Sequence, residues 1–295
     1  MTDWSPATTG DTHLSVIVPF HGARPHAFAC AAALASQSYA AERFDLTAVD
    51  CGSAGDLREI ARRHPGMRVL PEPSGDSYAA RNRGVAESKA AILCFTNADC
   101  APAPDWLWSI ARAMADESVR VVLGRVVMTG SRALDLLSAY EDERAGYVFS
   151  GSTAELYYGH ANNMAVRRTA FDALGPFPEG ARGGDVVLVR RAVDAYGTNA
   201  VRYEPRMVVR HLEITSHGAW IRKMFVNGRT ASVYRPVVAT RSMTEAERAE
   251  VFRRTIRRHG FSRAQSGLLF LLLAAGVAAH RLGRILSLPD SPRRP

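Results

Sequence analysis

The chain has 295 residues, 47% of them hydrophobic and 22% charged, with a formal net charge of +8. That length can bury a substantial core in one large or two smaller units, and the composition excludes a disordered or fibrous protein. The charge is uneven. Residues 235–295 carry twelve Arg against four acids, whereas residues 1–234 balance 25 basic against 25 acidic groups. Nucleic-acid binding by the main body is therefore disfavoured, while the basic tail suits an anionic membrane surface. Cys30, Cys51, Cys94 and Cys100 form no C-x-x-C pair and no zinc spacing, so reduced thiols in a cytoplasm are expected. Residues 1–12 are short, polar and without the apolar core of a signal peptide, and read as a disordered N-terminus.

Leu14–Phe20 reads as a buried strand ending at Pro19 and the His21-Gly22 turn, followed by an Ala-rich helix from Pro25 to Gln37. Phe44–Asp50 predicts a second strand running into Asp50-Cys51-Gly52-Ser53, and a helix over Asp56–His64 leads to a third strand, Met67–Leu70. After Gly75 the spacing predicts a helix over Tyr78–Ser88 and a fourth strand over Ile92–Asn97. Strands alternating with helices of these lengths imply right-handed βαβ units and a mostly parallel α/β sheet. No G-x-G-x-x-G follows the first strand, which disfavours a dinucleotide-binding oxidoreductase.

Further along, helices over Pro104–Ala115 and Ala133–Arg144 flank a strand at Val119–Met128. Gly146–His160 holds Tyr147, Phe149, Tyr157 and Tyr158 among small polar residues; it reads as a binding loop or as aromatics packed under a loop. A short strand within Asn162–Arg168 and a helix to Leu174 precede a helix opened by Gly183-Gly184-Asp185 and stopped by Gly197. A strand over Met207–Arg210 ends at His211.

The fourth strand organises the rest. It is apolar until Asn97-Ala98-Asp99, then gives way to Ala101-Pro102-Ala103-Pro104. Open α/β sheets place ligands at such a C-terminal edge, and in an extended chain Asn97 and Asp99 would share a face. A carboxylate there suits a hard divalent cation bridging to phosphate oxygens. The other reading of the tripeptide alone is an Asp that opens a loop, just as Asp185 alone could be a helix cap.

Six pieces then stand in a telling order: Ser15-Val-Ile-Val-Pro19, Val49-Asp-Cys-Gly-Ser53, Ala79-Ala-Arg-Asn-Arg-Gly84, Phe95-Thr-Asn-Ala-Asp99, Asn163-Met-Ala-Val-Arg-Arg168, and Gly184-Asp-Val-Val-Leu188 with Arg191. Together they resemble the family 2 glycosyltransferases of the GT-A fold, over residues 14–191. The resemblance implies a GT-A-like unit over 13–215, with a nucleotide-sugar donor held by 13–100 and an acceptor by 101–215. It implies that Asp50 reads the donor base or ribose and that Pro19 lies on the loop over that base. Arg81 would lie near the diphosphate, and Asp99 would bind Mn²⁺ or Mg²⁺. Asp185 would be the base that deprotonates the acceptor hydroxyl in an inverting transfer. His211 stands close to where related enzymes supply an extra metal ligand, with a plain structural histidine as the equal alternative. UDP is the carrier favoured by the resemblance, and cell-envelope glycan, glycolipid or secondary-metabolite glycosylation is the implied setting.

Three positions depart from the family pattern. Asn97 stands where the first acid of D-x-D is usual, Cys51 replaces a second acid after Asp50, and Gly184 replaces the Glu of a Glu-Asp pair. Asn97 can still hydrogen-bond a ribose hydroxyl or a metal-bound water, so it stays among the nucleotide-binding residues. The departures motivate the rival reading, a catalytically inactive glycosyltransferase-like nucleotide-binding or scaffold protein. A nucleotidyltransferase is a second rival, but only His21-Gly22-Ala23-Arg24 follows the first strand, without the Gly-rich basic loop that chemistry needs.

The tail, 216–295, predicts a helix over Trp220–Tyr234 and another opened by the Thr244–Glu247 capping box and ended at Gly260. Ala264–Ala279 carries no charge. As a helix it would span about 24 Å, short of a hydrocarbon core of roughly 30 Å. Flanked by Arg263, Arg281 and Arg284, it reads as a helix lying in the cytoplasmic leaflet, or packed on protein. A cytoplasmic protein peripheral to the inner face of the membrane through 248–285, with an acceptor that could be lipid-linked, is the expectation.

Overall fold

The computed structural model describes residues 12–21, 24–53, 56–180, 182–234 and 237–286; of the N-terminus expected over 1–12, residues 1–11 lie outside the described residues. In chain order the elements are β1 (Leu14–Phe20), α1 (Arg24–Ala35), β2 (Phe44–Asp50), α2 (Asp56–Arg63), β3 (Met67–Pro71), α3 (Ser77–Ala86), β4 (Ile92–Thr96), β5 (Cys100–Pro102) and α4 (Trp106–Ala113). There follow β6 (Val121–Met128), α5 (Arg132–Phe149), β7 (Asn163–Arg167), α6 (Arg168–Leu174), α7 (Gly184–Tyr196), β8 (Val201–His211), α8 (His217–Tyr234), α9 (Glu245–His259) and α10 (Arg263–Ile285).

The strands form one mixed sheet in the order β3-β2-β1-β4-β7-β6-β8-β5. The first half, β3-β2-β1-β4, is parallel throughout. β7 reverses direction between β4 and β6, and β5 runs antiparallel to β8. Both faces are covered, so the central strands are mostly apolar rather than alternating, and the polar Ser15 of β1 and Thr96 of β4 are buried with them. In β1, Leu14, Val16, Val18 and Phe20 enter the core under α1 and α4, while Ile17 enters the core under α3 and α7. Gly84 lets α3 lie close on the sheet: a Cβ there would stand 2.4 Å from the Ile17 side chain. A third core joins α5 to the tail helices through Leu137, Tyr140, Trp220, Val251, Leu269 and Leu272.

Several elements differ from the sequence expectation, each for a physical reason. Pro19 lies inside β1, paired with Val49, and not on a loop. The β4 ladder on the other side of β1 stops at Ile17, so a residue without an N–H is tolerated there. β8 begins at Val201, six residues before the expected strand, and crosses a bulge where Gly124 and Arg125 of β6 change register. Pro102 sits in β5, a three-residue strand at the sheet edge, where a missing donor is harmless. Helix α5 runs on to Phe149, through Gly146, whose α-face is open to solvent space. Tyr147 and Phe149 therefore belong to a helix, and Phe149 stacks among Tyr157, Tyr158 and Tyr203. Of the expected loop, only the part from Ser150 remains irregular. Finally, α10 has 23 residues, which is about 35 Å, so its length does reach across a bilayer core.

The antiparallel half is clamped by side chains on backbone. Asn163, fully buried, accepts from Trp106 Nε1 at 2.8 Å and donates to the carbonyls of Arg125 (2.9 Å) and Met207 (2.8 Å), filling the β6–β8 bulge. A Cβ at Gly124 would stand 2.2 Å from the Met207 carbonyl and 2.4 Å from that amide. Arg168 donates to the carbonyls of Ala90 and Ser88, closing the turn after α3.

Candidate active site

The site lies at the C-terminal edge of β1, β2 and β4. Asp50 ends β2, and its Oδ1 accepts from the amides of Gly52 (3.1 Å) and Ser53 (2.8 Å), which Gly52 permits with φ +121°. Burial pushes this carboxyl up, but those two bonds and the Arg58 charge outweigh it and hold it below the usual range. Cys51 is buried, its Sγ 3.3 Å from the Phe20 carbonyl, and burial lifts its thiol to about 11. It is a neutral packing group, not a substitute acid.

Arg81 projects from α3 and is buried. Its Nη2 donates to Asn97 Oδ1 at 2.5 Å and its Nη1 to the Ser77 carbonyl at 3.0 Å, while its buried Nε has no partner. Burial holds Arg81 below the ordinary guanidinium value, only partly offset by Tyr78, Asp185 and others. An amide thus occupies the place where a carboxylate would have neutralised the guanidinium. The guanidinium is held by neutral acceptors, the Asn97 amide oxygen and the Ser77 carbonyl.

Asn97 and Asp99 do not share an extended face. The amide of Cys100 closes onto the Asn97 carbonyl at 3.0 Å, so Asn97-Ala98-Asp99 forms a turn and the two side chains take different partners. Asn97 serves Arg81, whereas Asp99 turns to His211. β5 and β8 bring the latter pair together, with Cys100 opposite His211 and the Leu212 amide on the Asp99 carbonyl at 2.7 Å. His211 Nε2 stands 3.7 Å from Asp99 Oδ2, beyond hydrogen-bond reach. Two ligands each about 2.1 Å from one cation can lie up to roughly 4.2 Å apart, so this spacing fits a shared divalent ion. The imidazole is buried, which pushes its pKa down against the pull of Asp99 and favours the neutral, ligating form. Among the described residues no cluster of three or more His, Cys, Asp or Glu is placed to hold a metal. The remaining ligands would have to come from phosphate oxygens and water, as is usual for Mg²⁺-type sites.

Asp185 sits in the first turn of α7, not as its N-cap, which is Gly183 in the left-handed region with φ +96°. Its Oδ1 accepts from the Tyr78 hydroxyl (2.9 Å) and the Val186 amide (3.0 Å), and its Oδ2 from the Ala161 amide (2.9 Å). A carboxylate offers about four acceptor positions, so one on Oδ2 is left for a ligand. Gly159 brings the 154–161 segment against α7: a Cβ there would stand 2.2 Å from the Asp185 carbonyl. His160 Nε2 lies 3.1 Å from the Gly124 carbonyl, and burial lowers its pKa, so the ring faces this region neutral.

The structure thus gathers Asp50, Arg81, Asn97, Asp99, His211 and Asp185 on one edge, whereas Pro19 is a buried strand residue behind it. Tyr78, Asp76, Asn82 and Ala161 were not singled out by sequence reasoning. Asp76 caps α3 through the Tyr78 amide (2.8 Å) and also accepts from Gly180 (2.5 Å). Asn82 exchanges hydrogen bonds with the backbone of Phe177 (2.9 and 3.0 Å) and reaches Glu179 (2.7 Å). Those two residues fasten the segment before α7 to α3. The sequence signals for them were the acid before a helix start and the place of Asn82 within the Ala79–Gly84 motif.

The family model for glycosyl transferase family 2 matches residues 15–175. This chain belongs to glycosyl transferase family 2. A relative from Haloferax volcanii, the glycosyltransferase AglE, is 31% identical over 188 residues, and the match spans 62% of each chain. Among solved structures, the mannosyltransferase PcManGT from Pyrobaculum calidifontis, in complex with GDP-Man and Mn²⁺, superposes with a TM-score of 0.57 at 18% identity, covering 98% of this chain and 84% of that one. Residues 1–349 of S. aureus TarS, in complex with UDP-GlcNAc, give 0.51 at 14% identity, covering 91% and 81%. At these identities the structural likeness shows the fold: a GT-A sheet with flanking helices and a C-terminal helical region.

Proposed function

We propose that this family 2 chain transfers a sugar from a nucleotide-sugar donor to an acceptor hydroxyl with inversion. The observation that carries the reading is the buried Arg81 guanidinium, held by the neutral Asn97 amide at the sheet edge that also carries Asp50, the Asp99–His211 pair and Asp185. A buried cation whose direct hydrogen-bond partners are neutral attracts an anion, and a diphosphate supplies one with matched acceptors. The complexes of PcManGT with GDP-Man and Mn²⁺ and of TarS with UDP-GlcNAc support a nucleotide sugar and a divalent metal.

In this reading Asp50 holds the nucleoside and Arg81 the diphosphate, with Asn97 fixing the guanidinium. Asp99 and His211 hold Mn²⁺ or Mg²⁺; a bound divalent ion would stabilise charge developing on the departing nucleoside diphosphate. Asp185 takes the acceptor hydroxyl proton at the open position on Oδ2, while its other positions stay fixed by Tyr78, Val186 and Ala161. A direct attack needs no second carboxylate as nucleophile. Asn97, Cys51 and Gly184 do not argue for an inactive protein, since each has a defined packing or hydrogen-bonding role.

The same reading places the enzyme on a membrane surface facing the cytoplasm. α10 passes the length and composition of a membrane-crossing helix, yet it is seated on α8 by backbone approach: a Cβ at Gly228 would stand 2.1 Å from the His280 carbonyl, and one at Gly283 2.1 Å from that of Phe225. Burying α10 across a bilayer would take Arg222 and Lys223 of α8 with it, at a cost of several kcal/mol. An in-plane position instead wets those charges and presents Phe270, Leu271, Leu282 and Ile285, all exposed, to the acyl boundary. A lipid-linked acceptor fits that placement.

The test is release of nucleoside diphosphate from UDP-glucose, UDP-GlcNAc and GDP-mannose with Mn²⁺, by the native chain and by Asp185→Asn. Turnover of one donor that EDTA removes and Asp185→Asn abolishes is expected. Undiminished turnover in folded Asp185→Asn would sink Asp185 as the base.

A further inference from the structure

We propose that Tyr78 is a positioning residue that holds the Asp185 carboxylate, and that Gly184 is the opening in α7 that admits its ring. The proposal rests on Asp185 being the base, and it assigns a purpose to the residue that stands where the family's usual Glu is absent. The Tyr78 hydroxyl donates to Asp185 Oδ1 at 2.9 Å and accepts from the Gly183 amide at 3.3 Å, so both its donor and its acceptor are engaged. Gly183 aims that amide from the left-handed region, with φ +96°.

The ring is fixed on every side. The Arg81 guanidinium lies over one face, 5.2 Å from the centroid, and Phe177 packs at 5.6 Å. Across from them, a Cβ at position 184 would stand 3.1 and 3.2 Å from the ring edge and 3.1 Å from the Pro178 carbonyl. Those distances are tight for a single carbon, so any side chain at 184 would press on the Tyr78 ring. Tyr78 is itself set by its backbone, because Asp76 takes its amide as the N-cap of α3. Burial and the adjacent Asp185 charge push the phenol well above its ordinary range, so it remains a donor at any working pH.

The consequence is specific. Carboxylate torsions are broad and soft. The amides of Val186 and Ala161 engage one oxygen each, and the phenol adds the bond that links the base on α7 to the diphosphate-facing helix α3. The base and Arg81 thus share one rigid ring between them. Loss of the hydroxyl leaves the fold and the donor site intact but lets the carboxylate turn away from the acceptor.

The experiment uses the full chain, UDP-glucose, UDP-GlcNAc and GDP-mannose with Mn²⁺, and the variants Tyr78→Phe, Asp185→Ala and the double variant. In Tyr78→Phe, kcat falls about 10- to 100-fold, as expected for a misplaced catalytic group, while KM for the donor is unchanged. In thermal unfolding, the double variant is less destabilised than the two single effects combined, because one bond is removed by either change. Tyr78→Phe with wild-type kcat, or unfolding effects that simply add, overturns the proposal. A native chain that turns over none of the three donors while the unfolding effects remain coupled would sink the transferase reading and leave the hydroxyl–carboxylate lock standing. Additive effects with turnover intact would do the reverse.

Discussion

The parallel and antiparallel halves of the sheet deliver site residues by different means. In β3-β2-β1-β4, the strand ends and helix starts fall where βαβ units put them, so Asp50, Arg81 and Asn97 reach the edge through local geometry. In β7-β6-β8-β5, long connections intervene, and Asp185 and His211 reach the same edge only because side chains bind distant backbone. Asn163 spans the bulge, Asn82 and Asp76 pin the segment before α7, and the Ala161 amide meets the base. In the proposed reading the first half chiefly holds the donor, and the second, apart from His211, aims the reaction. Perturbing the first should therefore act on affinity and perturbing the second on turnover.

The largest expected effect is on the aiming side. Asp185→Asn removes the group assigned to take the acceptor proton, and turnover falls by roughly 10²- to 10⁴-fold, with nucleoside diphosphate affinity retained. On the holding side, Arg81→Gln removes charge-assisted bonds worth roughly 1.5–3 kcal/mol, so calorimetric affinity for UDP or GDP with Mn²⁺ falls by about 10- to 100-fold. Retained affinity would show that Arg81 is structural.

A stability pair sharpens the same contrast. Gly124→Ala drives a methyl into backbone and a fully bonded amide and costs about 1–3 kcal/mol, a loss of several degrees in melting temperature. Gly84→Ala meets side-chain atoms alone, those of the fully buried Ile17, and is expected to cost less than a clash with a backbone carbonyl. The reverse order would mean that the parallel half is the more rigid. The smallest effect on the fold is expected at α10. The pair Phe270→Asp and Leu271→Asp changes exposed positions, so melting is unchanged within about 0.5 kcal/mol, whereas sedimentation with vesicles containing anionic lipid is lost. Unchanged sedimentation would remove the membrane reading without touching the transferase reading.

The comparison also explains what the sequence disclosed. β1, β2 and β4 are mostly apolar runs, interrupted by Ser15, Asp45 and Thr47, with polar residues at the ends of β2 and β4, so the parallel core and its ligand edge were legible from pattern alone. The family motifs then marked Asp50, Arg81, Asp99 and Asp185. The turn at Asn97-Ala98-Asp99 was not legible, because it depends on β5 leaving at once to pair with β8. The start of β8 was hidden by Pro205 and charged residues, since one flank of that strand is half-exposed. Tyr78 looked like any residue of an Ala-rich helix. Its partner Asp185 is 107 positions away and meets it only through the Asp76 and Asn82 clamps. Contacts of that kind leave no periodic trace.

The most direct test of the account is thermal unfolding of the native chain with UDP or GDP, each with Mn²⁺ or with EDTA, repeated on Asp99→Asn. The account predicts stabilisation by one nucleotide, about 2.7 kcal/mol at a hundredfold its Kd, that requires Mn²⁺ and is lost in Asp99→Asn. Stabilisation that survives both EDTA and Asp99→Asn would contradict the metal assignment at Asp99 and His211, and no response to either nucleotide would contradict the donor site itself.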